Sequence, residues 1–556
     1  MADDGDSNIH MRDSEQLIDI VENYNGYQAE KLYVDAFPQI STSNGKYSFQ
    51  VREKLNQNVN TGSLIVNYMG HGSESSLATE AVVDLASISN WKNLNNLPMF
   101  VTATCEFGRY DNPQVFSAGE RLMTNEDGGG IALVTTTRPV TASTNFILAK
   151  AFYNNVFERL SNGKMPRLGD IIRKTKNESL SKLNRNFTLL GDPALRLNYP
   201  QEEAIITEVK ANGIVSESIK ALDKVTLTGQ IMNNGTLSAD FTGDLDITIY
   251  DKPAELRTLG DESQPMYYTA WQNVLYKGKA KINQGKFEVT FRVSQDINYN
   301  LAAGRVTMYA QHETQNRDAN GFYGIEVGAS NNNAPIDNTP PTAQIWIEDK
   351  TFVSGAKVPS NTTLLAEISD ENGINLTGYG VGREITAILD GQATQTFILN
   401  DYFEYEEGSY QNGTIAFPLQ DLTVGKHTLT FTVWDNYSNP TTIEVDFYVE
   451  NKPIEVIEIT PYPNPFFSNV EFNVTHTRTG DDIEVVLVVY DVLGRPVRTI
   501  RQDYLDNNGN FSNLSWNGRG NEGELVKNGM YICKIYIHSL QDNAVGTGTV
   551  KVILNR

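Results

Sequence analysis

Two cysteines and six histidines are few for 556 residues, yet one of each sits at the end of a short apolar run. His71 lies in NYMGHGSESS (67–76), behind Leu64-Ile65-Val66, and Cys105 closes PMFVTATC (98–105). Paired, these residue types can do nucleophilic chemistry. A thiol at its ordinary pKa is mostly protonated at neutral pH, and a nearby imidazole favours the reactive thiolate. The same imidazole can protonate a departing amine. The glycine after His71 lets the backbone pass close to a substrate, so the Gly72 and Cys105 N–H groups are the candidate donors to a developing oxyanion. Taken alone, NYMGHGSESS also fits a polar turn and Cys105 a buried inert thiol. Two apolar runs ending in HG and C tilt the reading toward a catalytic pair.

Such a pair meets only if the two runs are neighbouring strands. SLIVNYMG (63–70), PMFVTATC (98–105) and GGIALVTTT (129–137) are short and nearly continuously apolar, as strands covered on both faces of a parallel sheet are. KLYVDAF (31–37) reads as a further strand. Helical patterns fall at 12–24, 47–57, 114–125, 144–160 and 168–183. Residues 1–200 are thus expected to be an α/β domain, with both residues leaving the carboxyl edge of the sheet, where open α/β folds place their sites.

Beyond residue 200 the pattern alternates strictly, as in KVTLTGQI (224–231), DLDITIY (244–250) and GKFEVTFRV (285–293), with Asn, Gly and Asp between segments. That texture predicts antiparallel β-sandwiches at 201–335, 336–452 and 453–556, with SNNNAPIDNTPPT (330–342) and ENKP (450–453) as connections. Four domains fit a length that allows about three to five. A net charge of −23 with no basic block argues against nucleic-acid partners. No apolar stretch approaches the roughly 18 to 20 residues of a membrane span, and the acidic opening MADDGDSNIHMRD is unlike a secretory signal. Cys105 and Cys533 fall in different domains, so no disulfide is expected. The other histidines (10, 312, 427, 476, 538) show no metal-ligand spacing, and no metal or other cofactor is expected from the residues.

NYMGHGSESS, LPMFVTATCEFGRYDNP (97–113) and NFTLLGDPALRL (186–197) closely resemble blocks of the gingipain-type cysteine peptidases, family C25. The resemblance covers residues 1–200 and implies a caspase-like fold with His71 and Cys105 as the catalytic dyad. Two pocket positions depart from the arginine-specific members: Asn8 stands where they have aspartate, and Ala142 where they have tryptophan. An amide and a methyl cannot hold a guanidinium by a charge-assisted bond, so arginine specificity is not expected. The family's acidic residue that orients the histidine lies upstream of the segment matching ADDGD (2–6). Within this sequence the acidic candidates are Asp3, Asp4, Asp6 and Asp13. The resemblance also implies a preceding strand and a signal peptide, so the chain reads as the C-terminal part of a longer protein.

PYPNPF (461–466), YDVLGRPVRTI (490–500) and WNGRGNEGELVKNGMYICKI (516–535) are similar to the Ig-like sorting domain of type IX secretion. Together the two resemblances imply a sortase-like endopeptidase at the cell surface or outer membrane. It would remove C-terminal sorting domains from secretion cargo through a thioester. Its implied partners are that cargo, an outer-membrane β-barrel protein and a lipopolysaccharide acceptor; calcium is left open. Two alternatives stand beside it: a secreted gingipain-like protease that is itself cargo, and a non-catalytic surface binding protein with a degenerate peptidase domain.

Overall fold

The computed structural model describes residues 1–3, 5–24, 26–42, 45–112, 114–377, 382–420, 422–449, 454–478, 481–507, 509–540 and 544–556. The N-terminal domain is built on four strands lying side by side in the order β1 (Ile65–Met69), β2 (Met99–Ala103), β3 (Ala132–Thr136) and β4 (Phe187–Leu190). The first three are parallel and β4 runs antiparallel to β3. Every residue of β2 and β3 is buried, because helices cover both faces and leave no side to water.

Alternation along the strands sorts their side chains between two apolar layers. Met99, Val101, Ala132 and Val134 face α1 (Gly5–Glu22), α5 (Ala142–Val156) and α6 (Leu168–Glu178), meeting Leu17, Phe152 and Ile171. Phe100 and Leu133 face the other way, toward α2 (Phe49–Thr61), α3 (Leu85–Asn90) and α4 (Ala118–Thr124), meeting Leu55, Ile88 and Leu122. Burying Phe100 or Phe152 contributes about 1.5–3 kcal/mol each, and truncating either to alanine costs about 3–5 kcal/mol. Ser117 starts α4 with a reciprocal capping box to Glu120, and Asp84 does the same for α3 with Ser87. The segments after β1 and β2 are therefore held at both ends.

The sheet is widened on its β1 side by residues 1–3. Ala2 bridges Met69 on one side and Tyr33 on the other, both in parallel, with Asp3 N–H donating to Met69 O at 3.3 Å. The strand expected over 31–37 is not formed: only Tyr33 bridges, and Val34–Ala36 turns as a 3-10 helix. The turn aims the fully buried Asp35 carboxylate at the Gly260 and Asp261 N–H groups, which donate to it at 2.8 to 2.9 Å. Those donors belong to a hairpin, Ala254–Arg257 with Tyr267–Ala270, that leaves the next domain and leans on the first. Tyr268 packs edge-on against Tyr33 at 5.0 Å between centroids, beside Ala2 and Met11.

The rest of the chain is β-sandwich. Residues 202–330 form one ten-stranded, mostly antiparallel sheet around a core of Leu227, Ile247, Phe291 and Val306. A second sandwich, 342–449, pairs a four-stranded with a five-stranded sheet, and its core is continuous with the first. A third, 456–554, pairs a three-stranded with a four-stranded sheet around Phe472, Leu487, Trp516 and Ile535, a separate core. ENKP (450–453) lies outside the described residues. No helix among the described residues is long and apolar enough to cross a membrane.

Candidate active site

Strand register brings the two chemically loaded positions to one level. Met69 of β1 pairs with Ala103 of β2, so His71 and Cys105 each lie two residues beyond a matched pair on adjacent parallel strands. Gly70 N–H donates to Ala103 O at 3.4 Å, carrying the pairing past the end of the ladder. Both residues leave at the carboxyl edge, and Asp3, at the end of the segment beside β1, leaves there too.

Asp3 is buried and secures the histidine through its backbone rather than its ring. One carboxylate oxygen accepts from the His71 N–H at 2.5 Å and from the Tyr68 hydroxyl at 3.1 Å. Burial, reinforced by that carboxylate, holds the Tyr68 hydroxyl protonated well above its ordinary range, and the hydroxyl also meets His71 O at 2.6 Å. Gly70 has to be glycine here: its φ is +157°, and a Cβ would stand 2.4 Å from the Asp3 carboxylate and 2.5 Å from the Tyr68 oxygen.

The half-exposed His71 ring faces Asp6, whose carboxylate oxygen lies 3.6 Å from Nε2, and the ring of His10, edge-on at 5.5 Å. Of the acidic candidates, Asp6 is thus the one beside the ring and Asp3 the one beneath the backbone. Asp13 is buried on α1, where burial raises its carboxyl above the usual range against the pull of His10 and Arg12. Asp4 lies outside the described residues.

Cys105 Sγ lies against the chain entering α5, with Val140 N–H donating to it at 3.5 Å. The following residue, Glu106, has φ +56°, a left-handed conformation that costs a non-glycine residue about 1–2 kcal/mol. Such strain at a strand-to-loop elbow presents the preceding side chain at the sheet edge. Among the described residues no hydrogen bond joins His71 to Cys105; nucleophile–base contacts are often long before substrate binds.

A side chain that sequence reasoning did not single out ties the two loops together. Glu74, three residues beyond His71, accepts from Arg109 at 2.6 Å and from Asn112 at 2.8 Å, and its carbonyl accepts from Ala118 N–H at 2.8 Å. Arg109 also pairs with Glu106 at 3.0 Å. The polar residues of HGSES and CEFGRYDN are therefore the mutual anchor of the histidine and cysteine loops. Their presence inside the two quoted blocks was the available signal.

Gly72 forms a narrow pair with Leu77, whose flanking bonds run from Ser73 N–H to Ser76 O and from Ala78 N–H to His71 O. In that geometry the Gly72 N–H points away from its partner strand. A Cβ at Gly72 would sit 2.4 Å from Thr104 Oγ1, which explains the close backbone approach that only glycine permits.

Asn8 and Ala142 are held differently. Asp6, Ser7 and Asn8 carry φ of 54°, 61° and 64°, an unusual left-handed run inside the N-terminal end of α1. The buried Asn8 amide donates to Gln264 O at 2.5 Å, at the tip of the neighbouring hairpin. Residues 5–8 and Arg12 on one side and 262–266 on the other enclose an open cleft of 660 Å³. Ala142 does not line that cleft; it is the first residue of α5, two residues beyond the Val140 backbone that touches the cysteine sulfur. The wall contributed by 262–266 comes from another domain, and nothing in its sequence pointed to the cleft.

A parallel sheet with a histidine and a cysteine at one carboxyl edge, their loops mutually anchored, is an arrangement that suits cysteine-peptidase chemistry. Residues 1–198 match the model of Peptidase family C25. The chain is similar to gingipain R1 of Porphyromonas gingivalis, 23% identical over 247 residues, covering 39% of this chain and 25% of that protein. It is also similar to the crystal structure of dimeric latent PorU from Porphyromonas gingivalis: 31% identity, 72% of this chain and 38% of that one, TM-score 0.31. A further similar structure is the Arg-specific cysteine proteinase gingipain R (RGPB), with 17% identity, 59% of this chain, 64% of that one and a TM-score of 0.30. The chain thus spans a quarter or less of the length of the curated relatives it matches.

Proposed function

We propose that this chain carries the catalytic domain of a sortase-like peptidase that acts on secreted proteins at the junction before a C-terminal sorting domain. The observation that carries the chemistry is the shared register of β1 and β2, which delivers His71 and Cys105 to one level of the sheet edge. The Cys105 thiolate attacks the scissile carbonyl carbon. The negative charge gathers on the carbonyl oxygen, toward the Gly72 and Cys105 N–H groups. The C–N bond then breaks as His71 gives its proton to the departing amine, leaving a thioester on Sγ. Water resolves the thioester to an acid, or an amine on a surface glycolipid resolves it to an amide. A cleavage preference other than arginine is supported by Asn8, whose neutral amide is engaged by Gln264 O and offers no carboxylate to an arginine side chain. Such work belongs at the outer face of the cell envelope, alongside an outer-membrane β-barrel partner.

The test is incubation with a cargo carrying its sorting domain, with and without a primary amine, read by intact mass. Cleavage at the junction with an amine-dependent product mass is expected. Cleavage at many sites, with loss of residues beyond about 453 from this chain itself, would favour the second reading, a secreted protease that is cargo. That reading draws on the separate core of the last sandwich, which makes it a detachable unit.

A further inference from the structure

His10 is a buried imidazole without a hydrogen-bond partner. Its side chain is 4% exposed, and neither ring nitrogen is bonded. Leaving such a group dry and unpaired is costly, so its surroundings carry information about what it meets. Its Nε2 points to a corner lined by Asp6 Oδ2 at 3.8 Å and Asp3 Oδ1 at 3.9 Å. Asp3 Oδ1 is itself buried and unpartnered, the other oxygen being taken by His71 N–H and Tyr68. His71 Nε2 completes the corner, 3.6 Å from the same Asp6 oxygen. The ligand atoms of Asp6, His10 and His71 all lie within 4.8 Å of one another. Gly5 keeps the corner open, since a Cβ there would stand 2.9 Å from His71 Nε2.

We propose that His10, His71 and Asp6 form a site for one divalent transition-metal ion of the zinc class. Two imidazoles and a carboxylate are the donor set such ions take, whereas calcium and magnesium prefer all-oxygen sites. Ligand atoms about 2.0–2.1 Å from a tetrahedral ion are about 3.4 Å apart, so the present separations need only modest contraction. Asp3 Oδ1, 3.9 Å from the same His10 nitrogen, stands ready as the fourth ligand. Sequence spacing could not show this, because His10 starts a helix and His71 follows a distant strand. The ion would occupy His71 Nε2 and withdraw it from proton transfer; this consequence, unlike the binding itself, rests on the catalytic role given to His71.

The test uses the full chain as Cys105→Ala, so that the thiol cannot bind metal, titrated with Zn²⁺ against a chromophoric chelator and with Co²⁺ by visible absorption. One ion per chain and a four-coordinate Co²⁺ spectrum are expected. His10→Gln and, separately, the half-exposed His71→Gln should each weaken binding about 100-fold or more, while His538→Gln in the last sandwich should not. No binding, or binding unchanged in both His10→Gln and His71→Gln, overturns the site. Because no activity is read, a failed site leaves the peptidase reading standing. Conversely, bound metal that does not inhibit the Cys105 enzyme would retire the role of His71 and not the site.

Discussion

Replacing Glu74 tests whether the mutual anchor of the two loops matters. Glu74→Ala deletes the bonds from Arg109 and Asn112 and leaves Arg109 with Glu106. A charge-assisted bond contributes about 1.5–3 kcal/mol when buried and an exposed ion pair about 0.2–1 kcal/mol. The Glu74 side chain is 20% exposed and that of Arg109 35%, so solvent weakens the pair. A loss of about 1–1.5 kcal/mol follows, which lowers the melting temperature of a domain this size by about 2–6 °C. The chemical effect should be larger, because misplacing reacting groups by about 1 Å costs about 100-fold. In cleavage of a sorting-domain cargo, kcat/KM should fall about 10- to 100-fold. Glu74→Gln, which still accepts from Asn112, should fall between the two. Arg109→Ala removes the same Arg109–Glu74 bond, loses the Glu106 pair as well and leaves Asn112 on Glu74, so the double variant should cost less than the sum of the two single losses. If kcat/KM stays within about twofold of wild type, or if the two losses simply add, the loops are not positioned by this contact.

Two further outcomes are expected. Gly72→Ala places a methyl against Thr104 Oγ1 and should cost about 1–3 kcal/mol in thermal unfolding, with Gly72→Ala/Thr104→Ala recovering part of it. Equal melting temperatures for Gly72→Ala and wild type would show that the backbone is not so close. In the second sandwich, burial, together with the Asp435 and Asp337 carboxylates, raises Asp370 to about 6. Between about pH 4 and 6 the unfolded chain has released this proton while the folded chain holds it, so stability falls as pH rises through that window. Asp370→Asn should remove this slope and be the more stable form at pH 7; a slope unchanged by the substitution would assign it to other groups.

The α/β domain was legible because β2 and β3 are buried on both faces, and burial on both faces writes itself as an unbroken apolar run. The sandwiches were legible from strict alternation, as in residues 224–233, for the complementary reason. KLYVDAF was misread because its turn is set by Asp35 capping a hairpin of another domain, a contact between residues far apart in sequence. The same limit hid the 262–266 wall of the cleft and the meeting of His10 with His71. His71 and Cys105 stood out because their rarity and position coincide; Glu74 did not, since an acidic residue in a polar loop has no such mark.

The central claim is that Cys105 is a nucleophile activated by His71, and thiol alkylation kinetics test it most directly. Burial pushes the Cys533 thiol up to about 12, so at pH 7 to 8 only Cys105 should react. Carboxymethylation, followed by mass spectrometry, should be faster than for a free thiol, absent in Cys105→Ala, and slowed about tenfold or more in His71→Ala. Labelling at the free-thiol rate, with no response to His71→Ala, would contradict it.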